Sequence, residues 1–267
     1  MKKMCAVLVV IMLSVFSMCA LAEGVLRVGM ECNYAPFNWT QANSGEHTVA
    51  IEGGAGFADG YDVQIAKKIA DALNKELVIV KTEWDGLPMG VVSGAFDAII
   101  AGMSPTEERK ITLDFSDFYY TSDLVVVVKK DGAYADAKAL ADLSGANITA
   151  QLNTFHYDVI DQIPGVKKMT AMDNFPVMTI ALRSGAIDGY VAERPGAEAD
   201  IMANADLTYI LFETDGFVAA EEEVSIAVGL AKNSPLTEQI NEALAGIDAE
   251  TRLQIMLDAT ERQPLNN

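Results

Sequence analysis

Histidine, cysteine and positive charge are scarce in this sequence, and each scarcity removes a class of function. The 267 residues contain two histidines, His47 and His156, and three cysteines. Neither histidine stands at a metal-ligand spacing or beside a nucleophile elbow, which removes the usual zinc and hydrolase sites. No GxxxxGK[ST] loop is present, so nucleotide hydrolysis would belong to another chain; no metal or cofactor is expected. Nineteen Lys and Arg face 38 Asp and Glu, a formal charge of −19. Such a surface repels phosphate backbones and anionic lipid, so nucleic acid is not an expected partner. The chain also lacks a Pro/Ser/Gly-rich linker, a coiled coil and any long apolar run beyond the first twenty residues.

That first run is one of export. Lys2 and Lys3 precede an apolar stretch from Ala6 to Phe16, and Ala20-Leu21-Ala22 supplies the small residues a signal peptidase reads. Residues 1–22 are therefore expected to be a cleaved signal, with lipid anchoring at Cys19 as the alternative; the large Met18 just ahead of that cysteine argues against it. Cleavage removes Cys5 and Cys19, so no intramolecular disulfide can form, and Cys32 is expected to be a small packed residue. The mature charge becomes −21, and the mature protein is expected to be a periplasmic or cell-surface monomer.

Short apolar runs read as strands at 25–29, 77–81, 97–102, 123–129, 147–151, 189–193 and 224–230. Helical stretches lie at 62–74, 87–93, 155–162, 173–183, 234–245 and 249–258. In the first helix Ile65, Ile69 and Leu73 stack at four-residue spacing. Alternating strands and helices predict an α/β fold with mixed sheets flanked by helices. An internal echo, SGAFDAIIAG at 93–102 and SGAIDGYVAE at 184–193, fits either two chance helix-turn-strand units or two similar lobes whose strand ends face one cleft. The second arrangement gives residues 23–125 plus 218–267 as lobe 1 and 126–217 as lobe 2. Two crossings would join them, one at the exit of the valine run 125–128 and one in 213–223, restricting motion to hinge closure.

The segment AGMSPTEERK, 101–110, follows a strand. Ser104 fits a helix cap, Pro105 a first helical position, and Glu107 a capping-box partner. Those roles leave Gly102 and Arg109 unexplained: the first admits close approach to backbone N–H groups, and the second offers a two-pronged carboxylate clamp. An anion site and a well-capped surface helix are both open on these residues alone. Tyr34 in ECNYAPF and Trp84 in TEWDGL leave other strand ends, either as core rings or as a sandwich for a flat or cationic group, with Glu31 as its counter-charge.

Together, LRVGMECNYAPF, GYDVQIAKKIA, WDGL, SGAFDAIIAGMSPTEERK, DFSDFYY and SGAIDGYVAE resemble the secreted solute-binding proteins that deliver polar amino acids to ATP-driven importers. The likeness runs from about Val25 to Leu257. It implies a two-lobed Venus-flytrap fold closing on a free amino acid without chemistry, and a membrane permease as partner. By resemblance, Arg109 grips the ligand carboxylate with help from Ser104 and the backbone at Gly102, and the second lobe adds Thr154 and its neighbours. His156, in NTFHYD, stands close to that pocket, either as a ligand contact or as a structural hydrogen-bonding residue. Where the family has glycine before that threonine, this chain has Asn153. Where it has an aspartate for the ligand ammonium, this chain has Glu193. Tyr34 and Trp84 match the aromatic walls, and Glu31 stands where carriers of basic amino acids often place a carboxylate. Arginine is the first expected ligand, then lysine or ornithine. Glutamine, histidine, a sensor role and an amino-acid-processing enzyme on the same fold are the alternatives.

Overall fold

The computed structural model describes residues 24–54 and 56–264; the expected export signal and the alternative anchor at Cys19 lie outside them. Two five-stranded sheets dominate. The first has the order Glu76–Lys81, Val25–Met30, Ala98–Ile99, Ser225–Ala231, Leu113–Thr121. Its first three strands are parallel, and Ser225–Ala231 runs antiparallel to both of its neighbours. The second has the order Lys167–Lys168, Asn147–Thr149, Gly189–Glu193, Leu124–Lys129, Leu207–Leu211. A small antiparallel sheet built from Asn33–Tyr34, Asn38–Gln41, Phe57–Asp59 and Val49–Ala50 completes the first lobe.

The strands form where apolar residues must be covered on both faces. All of Leu124 to Val128 is buried, and Leu26, Val28 and Met30 have no exposed surface. Each such side chain contributes about 1.5–3 kcal/mol of transfer energy. Helix Tyr61–Ala72 lays Ile65, Ala66, Ile69 and Ala70 on the first sheet's core. The chain passes between sheets at Ser122 and Asp123, ahead of the valine run rather than at its exit, because the run itself is a central strand of the second sheet. It returns between Leu211 and Ser225.

The echo has a structural basis in both halves. Helices Leu87–Ser93 and Phe175–Ser184 each end on a left-handed glycine, Gly94 (φ 75°) and Gly185 (φ 81°). Three residues on, Asp97 and Asp188 accept the backbone N–H of Arg27 and Asn147, both at 2.8 Å, so each aspartate pins the neighbouring strand. The following strands then deliver Gly102 and Glu193 to the same pocket.

Strand 97–102 is paired only at Ala98–Ile99. Two elements were not among the expected runs: the nine-residue strand Leu113–Thr121 and the helix Arg194–Ala203, its Pro195 tolerated in the first turn.

Candidate functional site

Between the lobes lies a narrow pocket. The first lobe lines it with Tyr34, Trp84, Gly102, Ser104 and Arg109, and the second with Gln151, Thr154, Phe155, His156, Phe175 and Glu193. Eight of the nine residues picked from the sequence thus come together. Glu31 does not line the pocket. It is buried to 3% exposure and bonded to Gln151, whose Nε2 stands 3.3 Å from both carboxylate oxygens. Desolvation raises the Glu31 carboxyl to about 7 against the hydrogen bond from Gln151, which lowers it.

Arg109 sits at the centre of the first wall. Its guanidinium donates to the Ser104 carbonyl at 2.8 Å and, across the cleft, to the Asn153 carbonyl at 2.9 Å, and it lies 5.1 Å over the Trp84 ring. Desolvation lowers its pKa to about 10, with Glu108 and Glu193 pulling it back up, so it stays charged at neutral pH. Two of its five N–H donors are used by these bonds, which leaves room for a two-pronged acceptor. The helix carrying it is Glu107–Lys110, and its cap is Thr106, whose Oγ1 accepts the Arg109 N–H at 3.4 Å. Ser104, expected as the cap, instead donates its hydroxyl to the Glu223 carbonyl at 2.9 Å and so ties the loop to the returning segment.

The second wall carries the opposite charge. Glu193 is 4% exposed at the end of strand Gly189–Glu193 and accepts a hydrogen bond from the Tyr34 hydroxyl. His156 Nε2 lies 3.2 Å from its other oxygen, outside good hydrogen-bond alignment. Burial acts to raise the Glu193 carboxyl, but attraction to His156 together with the Tyr34 bond outweighs it and holds the group below the usual carboxylate range. His156 Nδ1 has no partner among the described residues. Thr154 is buried, its hydroxyl bonded to the Gln151 carbonyl at 2.7 Å.

Tyr34 stacks on Phe175, centroids 4.3 Å apart and rings 9° from parallel, while Trp84 faces Arg109. Both rings line the pocket, each beside a different neighbour. Glycine on both lobes allows the Tyr34 ring its place: a Cβ at Gly102 (φ 63°) would lie 3.1 Å from Tyr34 Cε1, and one at Gly196 would lie 3.0 Å from Cε2. Beneath it, Asp62 accepts from Asn38 Nδ2 and the Tyr119 hydroxyl, both at 2.8 Å, and desolvation raises its carboxyl to about 7.

Asn153 explains the missing glycine. Its φ is 56°, in the left-handed region that asparagine enters more readily than most residues, and its Nδ2 donates to Asp85 Oδ1 across the cleft at 2.8 Å. Gln151, Phe155 and Phe175 were missing from the sequence reading. The QLNTFH segment held the first two, next to residues already chosen; Phe175 carried no local signal beyond opening a helix.

Residues 26–259 match the profile of the bacterial extracellular solute-binding proteins, family 3. The chain belongs to that family. Among relatives, it is 28% identical over 234 residues to the arginine-binding extracellular protein ArtP of Bacillus subtilis, covering 86% of this chain and 83% of the other. A Streptococcus pneumoniae substrate-binding protein, AbpA, solved bound to L-arginine, superposes with a TM-score of 0.75 at 25% identity, covering 89% of this chain and 95% of that one. An ancestral arginine-binding protein solved bound to glutamine gives 0.72 at 30% identity, covering 88% and 97%. Family and fold are those of proteins that bind solutes outside the cytoplasm without catalysis.

Proposed function

We propose that this protein captures a cationic or polar amino acid, arginine foremost, by closing two lobes on it, and delivers it to an ATP-driven importer. The observation that carries the reading is a pair of opposite charges on opposite walls of one pocket, Arg109 and Glu193, with aromatic rings beside them. Arg109, with Ser104 and the backbone at Gly102, receives the α-carboxylate. Glu193 receives the α-ammonium, and Trp84, Phe155 and Phe175 cover the side chain. The ligand is held without turnover, with Glu193, kept as a carboxylate by its neighbours, serving as a counter-charge.

The moving bodies are the sheet made from both ends of the chain and the sheet made from its middle, hinged at Ser122–Asp123 and in 212–224. Export through cleavage after Ala22 places the protein on the outer side of the cytoplasmic membrane, as a monomer facing a permease. Calorimetry of ligand-stripped protein against arginine, lysine, ornithine, histidine and glutamine tests the reading; equally weak binding to all five refutes it. Recovering the bound amino acid unchanged by mass spectrometry tests the absence of turnover. Glutamine is the second reading, favoured by the withdrawal of Glu31 behind an uncharged amide.

A further inference from the structure

Helix Tyr61–Ala72 opens on Gly60-Tyr61-Asp62, and none of the three lines the pocket. Their contacts run to the two first-lobe loops that do. A Cβ at Gly60 (φ 131°) would lie 2.2 Å from the Phe37 carbonyl oxygen, so glycine lets the helix start close against the loop of Tyr34. The Tyr61 and Asp62 N–H groups donate there to the Pro36 and Phe37 carbonyls, at 2.9 and 2.8 Å. The Tyr61 hydroxyl donates to the Tyr119 carbonyl at 2.8 Å, which ties the helix to strand Leu113–Thr121.

Asp62 joins the two loops. Asp62, Asn38 and Tyr119 are buried without exposed surface, so their polar atoms must be met inside the protein. Asp62 Oδ2 accepts from Asn38 Nδ2, and Asn38 Oδ1 accepts the Cys32 N–H at 2.7 Å. Asp62 Oδ1 accepts from the Tyr119 hydroxyl, whose oxygen accepts the Gly102 N–H at 3.3 Å. One arm thus ends two residues before Tyr34 and the other two residues before Ser104. All four bonds donate toward Asp62, so an acceptor on each of its oxygens sets the sense of both arms. The Tyr119 and Asn38 bonds also oppose the burial that raises this carboxyl to about 7.

We propose that Asp62 is a positioning residue for ligand capture, holding the loop of Tyr34 and the loop of Gly102 and Ser104 at the spacing a bound amino acid requires. The inference rests on the amino-acid capture reading and deepens it. Asp62 acts from behind both loops, so it affects every amino acid alike. Its carboxylate matters for direction as well as for bulk. Asparagine at position 62 brings one acceptor and one donor. Turned toward Asn38, the new donor meets a second donor, which cannot flip without giving up Cys32; turned toward Tyr119, it leaves the hydroxyl proton without an acceptor. The paired change N38D/D62N exchanges amide and carboxylate. The carboxylate then at position 38 accepts from Cys32 and from the amide at position 62, and that amide's oxygen accepts from Tyr119. All four bonds return, one of them reversed.

Calorimetry of the exported protein with arginine, lysine and glutamine, well below the melting temperature, tests this. D62N should weaken all three by a similar factor of about tenfold or more, and N38D/D62N should return them to within about threefold of wild type. Tyr119→Phe cuts only the Gly102 arm and should cost about fivefold, which keeps the test open if D62N unfolds the chain. A residue that merely supports the fold would lower the melting temperature and leave the affinity of the folded protein unchanged. Folded D62N or Y119F binding within about threefold of wild type, or an N38D/D62N protein that folds and binds as weakly as D62N, overturns the inference. Wild-type protein that binds none of the three amino acids overturns the capture reading instead.

Discussion

Replacing Arg109 with alanine should weaken binding of every amino acid by a similar factor, because the proposed contact is to the group they share. The guanidinium spends one donor on Ser104 and one on Asn153 and keeps the rest for a carboxylate. Each hydrogen bond to a charged group is worth about 1.5–3 kcal/mol. A two-pronged grip therefore amounts to about 3–6 kcal/mol, or roughly 10²–10⁴ in affinity at 1.4 kcal/mol per tenfold. The Asn153 bond closes the cleft, so part of the loss should appear as faster ligand release. Arg109→Lys retains charge but not the fork, and should fall between wild type and alanine. Calorimetry with arginine, lysine and glutamine reads the factor, stopped-flow fluorescence at Trp84 reads release, and thermal unfolding confirms that the fold survives. Binding of all three amino acids within threefold of wild type would refute the clamp, and loss confined to arginine would move Arg109 from the common head to the side chain.

Tyr34→Phe removes the hydrogen bond that helps keep Glu193 ionised. About 1 kcal/mol, near fivefold in affinity, should be lost by calorimetry, and the loss should be larger at pH 5 than at pH 8 because the Glu193 carboxyl moves up. Asn153→Gly keeps the backbone conformation but loses the bond to Asp85, so ligand affinity should fall severalfold with little change in melting temperature. Asn153→Ala adds about 1–2 kcal/mol of left-handed strain and should lower the melting temperature as well. Asp85→Ala should match Asn153→Gly, with no further loss in the double variant. Glu31 and Asp62, raised to about 7, and Asp200, raised to about 6, hold protons that the unfolded chain releases near its ordinary carboxylate values. Their stabilisation is complete below about pH 4 and is lost as pH rises through 6 and 7, so denaturant midpoints should be higher at pH 5 than at pH 8, and Glu31→Gln should flatten the slope.

What was legible in the sequence follows from how local each determinant is. The central strands show as apolar runs because burial on both faces leaves no polar position, and the echo shows because a left-handed glycine and a strand-pinning aspartate are needed twice. The helix cap falls at Thr106 although SPTE alone completes a capping box, because the bond from Ser104 to Glu223, 119 residues away, takes the Ser104 hydroxyl elsewhere. Glu31 was placed at the ligand from its position after a strand, and only the approach of Gln151, 120 residues on, puts it behind the wall. Phe175 reaches Tyr34 through the packing of one lobe on the other, which no periodicity records. Arg194–Ala203 was hidden by its Pro-Gly pair, the proline tolerated in a first turn and the glycine leaving room for the Tyr34 ring.

The strand Ser225–Ala231 lies between Ala98–Ile99 and Leu113–Thr121. For a chain that emerges from its N-terminus onward, this sets an order of completion. The second sheet draws only on residues 124–211 and has all its strands as soon as that stretch is out. The first sheet, though its earliest strands emerge first, has a gap beside Ala98–Ile99 until residue 231 arrives. The middle of the chain can therefore finish while both flanks are still open, and the last strand to appear makes the first sheet whole and ties down the loop ahead of Arg109, through the bond from the Ala227 N–H to the Met103 carbonyl.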